Sequence, residues 1–98
     1  MPRALFSVSY TVRPEKREEY LDYVRRLRGL LRTDDRHYDV FEVKGKKNQF
    51  SEILLTPSVE ELDTFEDSMD DAARGLLGKI EDCMEKGTTR YSTMLELE

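Results

Sequence analysis

The chain has 98 residues, 38% of them charged, with a formal net charge of -5 and a single cysteine, Cys83. That length makes one domain, 1–98. The acidic balance argues against nucleic acid and anionic membranes as partners, and one cysteine leaves neither an intrachain disulfide nor a cysteine-cluster zinc site.

No apolar run approaches the roughly 18–20 residues of a membrane span. The start, MPRALFSVSY, lacks the basic-then-apolar pattern of a secretory signal, so a reducing, cytoplasmic setting is expected.

Ala4 to Val12 alternates: Ala4, Phe6, Val8, Tyr10 and Val12 on one face, Leu5, Ser7, Ser9 and Thr11 on the other. This period of two predicts a strand, ended by Arg13-Pro14. Glu15 to about Arg32 follows with a helical stripe of Tyr20, Val24, Leu27 and Leu31. Its glutamates come early and its arginines late, which complements the helix dipole. Thr33 to His37 reads as a loop and Tyr38 to Lys44 as a second strand. Lys44 to Asn48 forms a basic turn with Gly45 available for positive φ. Phe50 to Thr56 is the third strand, paired with the second as a hairpin.

Ser58 followed by Glu61 is a capping box that opens a second helix. Its stripe runs through Leu62, Phe65, Met69, Ala72 or Ala73, Leu76, Ile80 and Met84. Gly75 and Gly78 fall inside it as points of bending or splitting, and Gly87 stops it. Thr89 to Leu97 is the fourth strand. The order β-α-β-β-α-β predicts an α+β, ferredoxin-like domain: a four-stranded antiparallel sheet with two helices on one face and the first and third strands central.

Two helices cover one face of such a sheet. The stretch FSEILL, Phe50 to Leu55, is apolar on both faces, leaving Ile53 and Leu55, or Phe50 and Leu54, on the uncovered side according to register. A patch of that kind marks an interaction surface, so a homodimer joined through the helix-free face is expected. The alternative is a monomer with a partly apolar exposed sheet.

The element order, the opening LFSVSYTVRPEKREEYLDYV, the segment LTPSVEELDTFEDS and the closing YSTMLELE resemble the dimeric α+β barrel superfamily, nearest its antibiotic-biosynthesis-monooxygenase-like branch. The resemblance is one of pattern over nearly the whole chain. It implies two ferredoxin-like subunits joined through their sheets, with a pocket between sheet and helices in each. It also implies oxidation of polyaromatic substrates with no bound metal or flavin, hence no cofactor. Haem-degrading relatives use an asparagine, a tryptophan and a histidine. Here there is no tryptophan: Leu55 or Thr56 stands at the corresponding strand end, and Thr64 or Phe65 where the helical histidine would be. That departure argues against haem breakdown and weakens the case for monooxygenase chemistry.

Among the residues themselves, His37 is the only histidine, beside Asp34 and Asp35, and reads either as a general base or as a solvated loop residue. Glu52 alternates with Phe50 and Leu54 on a central strand. It is a pocket acid or the partner of Arg90 or another cation across the dimer. Tyr10, Tyr23, Tyr91 and Phe65 are ligand-pocket candidates, with core packing as the alternative for the tyrosines. The acidic run from Glu60 to Asp71 matches no calcium loop and reads as a solvated face, so no metal is expected. Cys83 reads as a packing residue. Two functions follow: a small cofactor-independent enzyme acting on a planar aromatic molecule, or a non-catalytic dimeric module that binds a small molecule or a protein.

Overall fold

The computed structural model describes residues 2–97. Strands β1 (Ala4–Thr11), β2 (His37–Glu42), β3 (Gln49–Thr56) and β4 (Arg90–Leu95) form one sheet in the order β2-β3-β1-β4. All three pairings are antiparallel, and β1 and β3 are the central pair, as the element order predicts. Directly opposed residues share a face of a sheet. The pairs Val8–Glu52, Tyr10–Phe50, Tyr38–Leu54 and Val8–Tyr91 therefore place all these side chains on one side. The buried members Ala4, Val8, Tyr10, Phe50, Glu52, Leu54 and Thr56 show that this is the helix-covered side.

Helix α1 (Arg17–Leu31) is entered through a 3-10 turn at Pro14–Lys16, because proline presets φ for a first turn and needs no amide partner there. It buries Tyr20, Val24, Leu27 and Leu31, the stripe read from sequence. The second helical region departs from the expectation of one helix that bends or splits at its glycines. It is three pieces: α2 (Val59–Asp63), α3 (Phe65–Ser68) and α4 (Asp71–Cys83), with Gly75 and Gly78 inside an unbroken α4.

The breaks fall where side chains compete with the helix ladder. Thr64 Oγ1 donates to the Glu60 carbonyl at 3.0 Å, and Ser68 Oγ donates to the Phe65 carbonyl at 2.9 Å. Asp70 then restarts the chain as an N-cap, accepting from the Ala73 amide at 2.9 Å. Ser58 caps α2 in the same way, accepting from the Glu61 amide.

The β2–β3 hairpin turns at positive φ on Gly45 (+82°) and Asn48 (+69°). Asn48 tolerates this conformation because it is anchored: its amide donates to Glu42 and its side-chain oxygen accepts from Arg17, at 2.8 and 2.9 Å. Arg17 also grips Glu42 through both guanidinium nitrogens, at 2.6 and 2.9 Å, tying the start of α1 to the hairpin. A second two-pronged pair, Arg3 with Glu96, fastens the two ends of the chain across the sheet.

The helix-free face carries Leu5, Ile53, Leu55, Phe41 and Met94 together with Ser7, Ser9, Ser51, His37, Asp39 and Arg90. Register resolves the alternative left open by sequence: Ile53 and Leu55 face outward, Phe50 and Leu54 inward. Phe41 and Met94 are 59% and 50% exposed on that face. Among the described residues no helix is long and apolar enough to cross a membrane.

Candidate functional site

The helices cover β2, β3 and β1 but leave β4 exposed along its length. Between β4, the broken α2–α3 segment and the end of α4 lies a cavity of about 670 Å³. Its apolar walls come from Phe6 and Val8 of β1, Leu54 of β3, Leu62 of α2, and Leu77 and Ile80 of α4. Its rim is solvent-exposed at Glu66, Glu81, Lys86 and Tyr91.

Glu52 reaches the wall of this cavity from the centre of the sheet, with only 7% of its surface exposed. The Tyr38 hydroxyl donates to its Oε1 at 2.5 Å. Beside it, the Tyr10 and Tyr20 hydroxyls bond to each other at 2.6 Å, with their rings edge to face at 82°. Burial drives the Glu52 carboxyl above its ordinary range, and the hydroxyls of Tyr10 and Tyr38 pull it partway back by stabilising the charged form. Burial also pushes Tyr10, Tyr20 and Tyr38 far above the usual phenol range, and the Glu52 charge pushes them in the same direction. The phenols therefore stay protonated. The result is an acid that can hold or release a proton, framed by permanent hydroxyl donors, at the wall of a largely apolar cavity.

Of the residues singled out in sequence, the fold brings Glu52, Phe65 and Tyr91 to the cavity. Tyr10 is fully buried next to Glu52, behind the wall. Tyr23 sits on α1 beneath the Lys79 ammonium, 5.6 Å from its ring centre, and does not line the cavity. His37 begins β2, opposite Leu55, and projects from the helix-free face away from Glu52. Arg90, paired with Ser9, also lies on that face. Glu52 and Arg90 thus point to opposite sides of the sheet, and Tyr38 takes the part that a cation was expected to play. Tyr38 was not among the pocket candidates. Its signal is the hairpin register, which sets it on the same face as Glu52 and opposite Leu54. Cys83 is buried and unpaired. Among the described residues, no three His, Cys, Asp or Glu side chains are grouped to hold a metal.

No protein-family model matches the chain, and no curated protein matches it. Solved structures do. A protein from Caulobacter crescentus proposed to be an antibiotic biosynthesis monooxygenase superposes with a TM-score of 0.82 at 14% identity, over 99% of this chain and 92% of that one. One from Nitrosomonas europaea, proposed to be the same kind of enzyme, gives 0.80 at 11% identity over 97% and 99%. A conserved protein of unknown function from Bacteroides thetaiotaomicron, described as a possible oxidoreductase, gives 0.77 at 18% identity over 96% and 97%. The chain has the ferredoxin-like α+β fold of these proteins, and at such identities the likeness is one of fold.

Proposed function

We propose that the protein binds a planar, mostly apolar small molecule in the cavity and transforms it by proton transfer through Glu52, as a cofactor-independent, monooxygenase-like enzyme. The observation that carries this reading is a nine-tenths-buried carboxyl opening onto a cavity large enough for a tricyclic arene. Removal of an acidic O–H or C–H proton by Glu52 turns such a molecule into an electron-rich anion, the form that reacts with dioxygen or isomerises. The Tyr38 hydroxyl positions the carboxyl.

The exposed apolar helix-free face supports a second element of the proposal, a homodimer through that face. It equally supports the second reading, a non-catalytic dimeric binding module.

The test is oxygen consumption over a panel of hydroxylated tricyclic arenes, for wild type and Glu52→Gln. Loss of turnover by about tenfold or more with binding retained supports the enzyme. Equal turnover removes Glu52 from the chemistry, and binding without turnover in wild type leaves the binding module.

A further inference from the structure

The charges around the cavity are one-sided. Asp63, Glu66, Glu81 and Glu85 line it from α2, α3, α4 and the following loop, and Glu52 stands at its wall. Among the described residues, Lys86 is the only cation in the lining. None of the four outer carboxylates has an ion-pair partner within 4 Å among the described residues. The nearby arginines are otherwise engaged and outside the lining. Arg36 donates to the Leu31 carbonyl and lies over the Phe65 ring, while Arg74 donates to the carbonyls of Glu66 and Met69.

Glu52 adds an observation independent of the outer acids. Its carboxyl lies in the cavity lining although it is more than nine-tenths buried; Oε1 accepts from Tyr38, and the Tyr10 hydroxyl also stands close enough to favour the charged form.

We infer that the cavity selects a planar apolar ligand bearing a protonated nitrogen and discriminates against carboxylates and phosphates. The inference rests on the reading of the cavity as a ligand site. Carboxylates of one sign around a low-dielectric cleft focus their field into it, which concentrates cations there and repels anions. The ring of Tyr91, in the lining and largely exposed, gives an ammonium group an aromatic face in addition. The Glu52 carboxyl in the lining is, besides, an acceptor for an N–H donor.

Three fluorescent probes of one shape separate charge from shape: 9-(aminomethyl)anthracene, 9-anthracenemethanol and 9-anthracenecarboxylate, titrated at pH 7 in low salt. The amine should bind at least about tenfold more tightly than the carboxylate, with the alcohol between them. The amine-to-carboxylate ratio should shrink at about 0.5 M salt. It should also fall by about threefold or more in a Glu66→Gln, Glu81→Gln double variant, whose changes are on exposed side chains and leave the core intact. A carboxylate that binds as well as the amine overturns the charge selection while leaving the cavity a ligand site. Failure of all three probes to bind overturns both. A preference unaltered in the double variant removes the outer carboxylates as its cause and overturns the inference.

Discussion

Glu52 shows how one residue joins stability to chemistry. A carboxyl whose folded-state pKa is raised favours folding fully below its unfolded value, about 4.5, and loses that contribution as pH rises through the folded value. The three phenols facing it, Tyr10, Tyr20 and Tyr38, stay neutral, so they add no opposing titration. Wild type should therefore lose stability relative to Glu52→Gln as pH climbs from about 4.5. Urea midpoints of both proteins across pH 4–8 measure this, and parallel curves would mean an unperturbed Glu52. Glu52 was legible in sequence because it interrupts an apolar face. The four outer carboxylates were not, because a helix rich in acid reads as solvated until the fold shows that its breaks turn Asp63 and Glu66 toward the cavity.

The elements were legible in order and type, and less so at their ends. Periodicity identified the α1 stripe and the central β1–β3 pair, since both are set by burial. The second helical region was misjudged because glycine counts as a breaker only by propensity, about 1 kcal/mol. Hydroxyl back-bonding at Thr64 and Ser68 and the Asp70 cap end and restart the ladder outright. A Cβ at Gly75 or Gly78 would meet nothing within 4 Å. Gly75→Ala and Gly78→Ala should each stabilise by about 0.5–1 kcal/mol, read as a raised melting temperature. At the other end of the fold, the Arg17 guanidinium and the Asn48 amide hold Glu42 down at about 2. A lowered pKa contributes stability above the ordinary value of about 4.5, and that contribution is lost as pH falls toward 2. Carbon-detected NMR should find Glu42 titrating near 2 in wild type and moving toward 4.5 in Arg17→Met. A wild-type value near 4.5 would mean that the clasp is open in solution.

The sheet divides the protein's work between its two sides. Helices and cavity occupy one. The other exposes Phe41 and Met94 beside the half-buried Ile53 and Leu55, the patch on which the proposed homodimer rests. Sedimentation at micromolar concentration should give twice the chain mass, and Ile53→Lys should shift it toward the monomer. A wild-type monomer would refute the pairing. That face was legible in FSEILL alone, whereas a pocket between sheet and helices was expected only from the family resemblance; its place beside β4 was not legible, since it arises from β4 lying beyond the reach of the helices. The most direct test of a ligand site built on a buried acid is the titration of the Glu52 side-chain carbonyl carbon by NMR, with and without 9-anthracenemethanol. A midpoint above 4.5 that moves when the probe binds is the expected result. A midpoint near 4.5, indifferent to the probe, would contradict it.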